Sequence, residues 1–490
     1  MPTLSSPGVG SGLDVTSIVT QLVAIERKPI EQLQAKATAI QTQLSSFGLL
    51  QSYVANVRDI AGRLAEPTFW TQTTAASSDA SAVTASSTAG AAAGSYSVEV
   101  SQLAQSQRLA SQYYAGASSV VGSGTLHIQR GGWNDALTAF TADATKPAID
   151  IAIGSGETTL EAIRDKVNAA AAGVTASIVT DAGGSRLSLR STATGASSAL
   201  RITVSDADGT NGDAAGLSAL AFDPPASARL SQTQAGRDAQ ATVNGLAVTS
   251  ASNILAGVVD GVTLTLVKPT TAAVNVQIAI DSGTQRKAIG DFVQAYNDVV
   301  GYIAAQTKYD PATKKSAALQ GDRATLSLQG TLRGAVQQAS RASGAFASLS
   351  SIGLETQAGG TLRINESKLS AALAKPAELA KLFGAGLNAG AGVQAADQGY
   401  ATRLRSLAAQ AVASGGVVPT RTQALRDSIQ RNAVDQQRYE ARVAATKARL
   451  TKQYTELDTT VSRIGNTGSG LTQSLTGLAN LTAGIASGRR

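Results

Sequence analysis

At 490 residues the chain is longer than one hydrophobic core organises, so several structural units are expected. Only 4% of its residues are aromatic while Ala, Gly, Ser and Thr abound, which favours long helices and thin β-domains over the deep aromatic core of a compact enzyme. Cysteine is absent and the net charge of +7 is spread among acids, which excludes disulfides and thiolate metal sites and leaves no basic stripe for nucleic acid.

The first twenty residues hold no Lys or Arg and no continuous apolar run, so a cleaved secretory signal is not expected. Pro7 to Gly12 is Gly-rich but fits neither nucleotide-loop pattern. Apolar residues then alternate at spacings of four and three: Ile18, Leu22 and Ile25, then Leu33, Ala37, Ile40, Leu44 and Phe47, then Leu50, Val54, Val57, Ala61 and Leu64. That is the pattern of a helix with a coiled-coil seam. Asp14 is placed to cap its start, and Glu66-Pro67 ends it. Pro29 lacks a donor and clashes with the preceding turn, which predicts a kink or break and a continuous helix from Ile30 to Ala65. Such a helix is roughly 50 Å long at ~1.5 Å per residue and needs a partner of similar length.

From Thr71 the pattern changes to short alternating runs, at 95–100, 125–129, 148–153, 174–179, 186–190 and 199–204, with a helix at Leu160 to Ala171. The single histidine, His127, lies in one of these strands, and neither a catalytic triad nor a His-rich metal site is expected around it. The loop Asp206 to Asp213 suggests a calcium loop, yet Asn211 stands in the Gly place and Leu217 where the bidentate Glu belongs, so it reads as an Asx-rich turn. After a boundary near Phe222 to Pro225, further strands are predicted at Ala239 to Val248, Val262 to Val267 and Val274 to Ile280.

Helices resume with Ile289, Phe292, Val293, Tyr296, Val299, Val300 and Ile303 on one face, and Asp322, Asn365 and Pro376 mark later helix starts. Gly384 to Gly399 and Ala413 to Pro419 read as joints. Then Leu425, Ile429, Asn432, Gln436, Tyr439, Val443, Thr446, Leu450, Gln453 and Leu457, extended by Val461 and Ile464, repeat the four-three alternation and supply the partner seam. Its polar members Asn432, Gln436, Thr446 and Gln453 trade stability for register, predicting a weak coil. The stretch Leu471, Leu475, Leu478, Leu481 and Ile485 is amphipathic but Gly-interrupted, and is expected to order only in an assembly. No run is long and apolar enough for a membrane span, and no motif calls for a cofactor or selects a catalytic pair.

Several blocks resemble the bacterial flagellar filament cap family, also called flagellar hook-associated protein 2. GVGSGLDVTSIVTQLVAIERKP (residues 8–29) and GSYSVEVSQLAQSQRLAS (94–111) are similar to its amino-terminal blocks. ATVNGLAVTSASNILAGVVDGVTLTL (241–266), DFVQAYNDVVGYIAAQTKYD (291–310), LQGDRATLSLQGTLR (319–333) and IGLETQAGGTLRINESKLSAAL (352–373) resemble its carboxy-terminal half. The resemblance weakens over 118–224, and Ile464-Gly465-Asn466 replaces the family's Met-Asn pair.

The resemblance implies an α+β multidomain fold with a terminal α-helical coiled-coil leg, a mixed α/β leg domain and two β-rich head domains inserted in the middle. The corresponding divisions are a first coil half at 1–70, strands shared by leg and inner head at 71–117, and an outer variable head at 118–224. An inner head follows at 225–282, then a helical leg domain with a β-hairpin at 283–412, a second coil helix at 413–465 and a flexible end at 466–490. It further implies a non-enzymatic structural cap, without cofactor, metal, nucleic-acid partner or membrane span, at the distal tip of the flagellum. Such a cap is exported through the flagellar channel without a cleaved signal and forms a ring of about five or six copies, a number set by interface angles. Implied partners are flagellin, hook-filament junction proteins, an export chaperone and the type III export apparatus. The expected coil and filament interface is Leu13, Ile18, Leu22, Ile25, Leu33, Ile40, Leu44, Phe47, Leu425, Ile429, Tyr439, Val443, Leu450, Leu457 and Ile464. The alternative is a tip adhesin whose β-rich head binds mucin or host-cell glycans.

Overall fold

A computed structural model describes residues 14–388 and 394–487, with the backbone alone at 481 and 483–487. The chain forms two compact units, one of Met1–Glu66 with Arg286–Arg490 and one of Pro67–Gln285.

The first unit opens with helix α1 (Val15–Ala65), capped as expected by Asp14, whose carboxylate accepts from the Ser17 amide at 2.9 Å. At 51 residues the helix spans about 75 Å, and it runs through Pro29 without interruption, correcting the expected break. A proline inside a helix costs about 3 kcal/mol. Buried Val15, Val19 and Val23 on one side of Pro29 and Ile30 on the other pack against one partner helix, and that burial offsets the cost.

After the short helix α2 (Pro67–Trp70) and the strand-rich second unit with its helix α3 (Leu160–Ala169), the first unit resumes with α4 (Ser282–Thr307), α5 (Arg323–Gln337) and α6 (Glu366–Leu373). It continues through α7 (Pro376–Gly384) and α8 (Tyr400–Val412) to α9 (Val417–Ser487), which is 71 residues long. Asp322 and Asn365 cap α5 and α6 by accepting from Thr325 and Lys368 amides, and Pro376 occupies the first turn of α7, as the sequence predicts. The corner between α8 and α9 is tight rather than loose. Gly415 takes φ +83°, and a Cβ on Gly416 would lie 2.2 Å from the Gln410 carbonyl.

Phe47, Leu50, Val54, Val57, Ala61 and Leu64 of α1 are buried together with Phe292, Tyr296, Phe383, Tyr400 and Leu404. The Tyr53 and Tyr302 rings pack with centroids 5.1 Å apart and planes tilted by 42°, and the Tyr302 hydroxyl donates to the Ser46 carbonyl at 2.9 Å. Burial pushes the Tyr296 hydroxyl up to about 12. Arg403 is buried, and its guanidinium donates to the Gln338, Ala339 and Gln398 carbonyls. Gln338 ends α5, so this cation satisfies carbonyls at the negative end of a helix dipole.

The second unit contains strands β1 (Thr73–Ser77), β2 (Val83–Ser87), β3 (Gly94–Gln102), β4 (Arg108–Ala110), β5 (Gly124–Trp133), β6 (Phe140–Ala142), β7 (Ile149–Ile153), β8 (Val174–Asp181) and β9 (Gly184–Ser191). They are followed by β10 (Ala199–Asp206), β11 (Phe222–Asp223), β12 (Ser227–Ala228), β13 (Ser231–Gln234), β14 (Ala239–Val243), β15 (Leu246–Ser250), β16 (Ile254–Val259), β17 (Val262–Leu266) and β18 (Val274–Ile280). The inner layers are a sheet of order β1-β18-β3-β14-β15 and one of order β16-β17-β2, which enclose Val98, Val100, Val243, Leu255, Leu264, Val276 and Ile278.

The outer sheets have orders β12-β11-β10-β5-β6, with β7 also on β5, and β13-β4-β9-β8. Leu160, Ile163 and Val167 make one stripe of α3 and enter the outer core beside Leu126, Ile128, Leu187, Leu189 and Phe222. All paired strands are antiparallel, so alternate side chains face the core and solvent.

Candidate functional site: the paired terminal helices

α1 and α9 lie side by side with opposite directions. The Asn432 side-chain amide donates to the Leu33 carbonyl at 3.0 Å, while Val15, Val19, Val23 and Ile30 cluster with Val443, Tyr439, Leu450 and Tyr454 further along α9. Asn432 is only 4% exposed, and its side-chain oxygen accepts from the Gln436 amide at 2.5 Å. Both polar groups are satisfied, the Asn432 amide by the Leu33 carbonyl of α1 and its oxygen by Gln436 one turn on in α9 itself.

The expected interface residues divide into three groups. Ile40, Phe47, Leu425 and Val443 are buried, and Ile18, Leu33, Leu44, Ile429, Tyr439 and Leu450 are half-buried. Leu22, Ile25, Leu457 and Ile464 are exposed, which removes them from the seam between α1 and α9, and Leu13 lies outside the described residues. In the first turns the seam is Val15, Val19 and Val23, one position on from part of the expected stripe. Those valines carry the same four-residue spacing, so the helix has two adjacent apolar stripes and periodicity cannot choose between them.

On α9 the positions Ile429, Gln436, Val443, Leu450, Leu457, Ile464, Leu471 and Leu478 recur every seven residues, the repeat of a left-handed coil. The stripe is covered as far as the cluster with α1, and beyond Tyr454 it continues exposed through Leu457, Ile464, Leu471, Leu475 and Leu478. The backbone there is helical through Ser487, in contrast to the expected disorder of the terminal stretch. No residue from Ile464 to Gly488 is charged.

One carboxylate pins a loop within this unit. Lys381 and the Ser343 hydroxyl, with the Ala345 and Gly344 amides, donate to Glu378 and hold its carboxyl at about 2.

His127 corrects another expectation. Its Nδ1 lies 2.7 Å from Asp150 Oδ1 and its Nε2 lies 3.0 Å from Ser205 Oγ, the connectivity of a Ser-His-Asp triad. Strands β7 and β10 flank β5 and bring the three together on an open sheet face. The neighbouring Asp206 and Ala207 amides donate to Asn211 and to the Ser123 carbonyl, so they cannot form an oxyanion hole. The loop that follows contains Asx turns, with Asp208 accepting from the Thr210 amide at 2.8 Å and Asp213 from Ala215 at 3.2 Å, and Asp206 closes it by accepting from the Ser218 amide at 2.7 Å. Among the described residues no helix is long and apolar enough to cross a membrane.

Comparison with known proteins covers both units. The family model for the flagellar hook-associated protein 2 C-terminus matches residues 236–466, and the N-terminus model matches 11–107. A flagellin hook IN motif matches 137–193. The chain is 32% identical over 467 residues to the B-type flagellar hook-associated protein 2 of Pseudomonas aeruginosa, covering 92% of each. It is 29% identical over 487 residues to flagellar hook-associated protein 2 of Escherichia coli strain K12, covering 96% of this chain and 98% of that one. A crystal structure of the D1-D2-D3 domains of the flagellar cap protein FliD from Escherichia coli is similar with a TM-score of 0.61 and 27% identity, covering 78% of this chain and 99% of that one.

Proposed function

This chain belongs to the flagellar hook-associated protein 2 family, and from that premise we propose that it caps the distal tip of a bacterial flagellar filament. A ring of its own copies covers the export channel, keeps exported flagellin from being lost and promotes its folding and polymerisation. The cap reaches its place through the flagellar type III export apparatus, handed over by a chaperone, and meets the hook-filament junction proteins before the filament grows. The role is structural, and no bond is made or broken.

The observation that supports this most is the pairing of α1 with α9 along a seam that buries a polar contact, Asn432 to the Leu33 carbonyl, among its apolar positions. A cap must hold the filament and yet step as subunits add, which suits a coil whose seam is specific but not maximally stable. The exposed apolar positions Leu22, Ile25, Leu457 and Ile464 are then available to neighbouring helices.

Deleting the gene and assaying cells and medium separately tests the role. Unpolymerised flagellin outside non-motile cells, reversed by restoring the gene, is the expected result. Normal filaments and motility after deletion would overturn it.

A second reading, a tip adhesin for mucin or host glycans, rests on a cleft of about 650 Å³ in the β-rich unit, lined by Trp133, Asp135, Gln232, Arg237 and Gln240. Amides, an aromatic ring and charged groups of both signs are groups that bind sugar hydroxyls and ring faces. Binding of the full chain to immobilised mucin, abolished by Trp133→Ala, would support it, and equal binding by both would reject it.

A further inference from the structure

The inner sandwich leaves two flanks open. On one side β15 pairs only with β14 and β16 only with β17, and on the other β1 pairs only with β18 and β2 only with β17. β15 and β16 end their sheets next to each other, as do β1 and β2. Each flank therefore presents two edge strands whose outward backbone groups have no ladder partner.

Edge strands of soluble proteins are normally guarded by Lys, by Pro, by inward charges or by a covering loop. Here no charged residue and no proline occurs from Ala239 to Val259, a stretch that includes both strands of the first flank. Leu246 is 73% exposed, Ile254 55% and Val258 37% on that flank. The strands of the second flank are also uncharged, the turn between them holding Asp79 paired with Lys268 at 3.8 Å, and they offer small side chains, with Thr74, Ala76, Thr84 and Ser86 exposed.

The two flanks are different surfaces on one body. A contact between unlike surfaces repeats head to tail and closes into a ring when the rotation allows, whereas one self-complementary surface stops at a dimer. Charge decides the occupant. A charged partner would find no counter-charge on the strands of either flank, the Asp79 carboxylate beside β1 and β2 being already paired with Lys268, while two copies meeting strand to strand bring no like charges together.

We propose that the β15 and β16 flank of one copy docks on the β1 and β2 flank of the next, and that this contact closes the ring. The inference rests on the ring reading above and adds the surface that builds it. Leu246 and Ile254 fill the shallow relief left by Thr and Ala side chains, and the edge strands gain partners for their outward backbone groups.

The test uses the full chain and light scattering over a range of concentrations. Wild type should assemble, and the double variant Leu246→Lys, Ile254→Lys should need at least a tenfold higher concentration to do so, with an unchanged circular-dichroism melt because both positions are exposed. Adding Thr74→Glu and Ser86→Glu should restore assembly of the Lys variant by placing opposite charges across the contact. Assembly of the Lys variant at the wild-type concentration would overturn the surface while leaving the ring intact. Loss of assembly without rescue would overturn the pairing with β1 and β2. A wild type that stays monomeric throughout would remove the ring reading and this inference together.

Discussion

The two halves of α9 carry the same seven-residue stripe and meet different fates. From Leu425 to Tyr454 the stripe lies in a seam with α1, where Asn432 and Gln436 are satisfied and Val443 is buried. From Leu457 to Leu478 the same repeat stands exposed. The difference teaches that a heptad pattern specifies a helix with one adhesive side, and that the length of the available partner decides how much of that side is used. Among the described residues, α1 from Val15 onward meets that first half.

Introducing a charge into the covered half should have the largest effect. Val19→Asp places a carboxylate in the cluster with Val443, and a loss of about 3 kcal/mol or more is expected in chemical denaturation of the full chain. Asn432→Ala removes the bond to the Leu33 carbonyl and strips Gln436 of its partner, and the same measurement should show a loss of about 1–2 kcal/mol.

Asn432→Leu with Gln436→Leu works in the opposite direction, with a gain of about 1 kcal/mol as apolar groups replace buried polar ones. If a specific but soft coil lets the cap step, that variant should also give shorter filaments. Filaments of normal length with a measurably more stable coil would reject this mechanism.

The Glu378 loop sharpens the contrast because its stability depends on pH. The folded carboxyl is held at about 2, below the ordinary carboxylate range, so its contribution is complete above that range and is lost as pH falls toward 2. Protection of the Gly344 and Ala345 amides against hydrogen exchange, taken relative to the intrinsic rate at each pH, should fall over that window in the wild type. Glu378→Gln should show fast exchange already at neutral pH.

The smallest effect on stability is expected in the uncovered half, where Leu471→Ser should change the unfolding free energy of the isolated chain by less than about 0.5 kcal/mol. The same substitution should reduce motility when it replaces the chromosomal copy. Unaffected motility would mean that the exposed half of the stripe is not used.

Much of this architecture is legible in the residues. Asp14, Asp322 and Asn365 mark helix starts because their short side chains reach orphan amides, and all three do so. The alternating runs become strands because a period of two suits a sheet with one buried face, as at 95–100 and 274–280. The candidate site was legible less completely. Asn432 and Gln436 stand out as polar members of an apolar seam, yet nothing local tells Ile18, Leu22 and Ile25 from Val15, Val19 and Val23.

Composition, caps and periodicity are properties of short windows, and they determined by themselves that this chain has long helices near its ends, β-layers between them and polar positions in the seam of the last helix. Three outcomes depended on residues far apart in the chain meeting in space. Packing against α9 chose the valine stripe of α1 and carried the helix through Pro29, since burial on both sides outweighs one lost hydrogen bond. The lateral order of β7, β5 and β10 aligned Asp150, His127 and Ser205, which no spacing along the chain announces. The contact between α1 from Val15 onward and α9 buried one part of the α9 stripe, because a helix face is covered only where a partner packs on it.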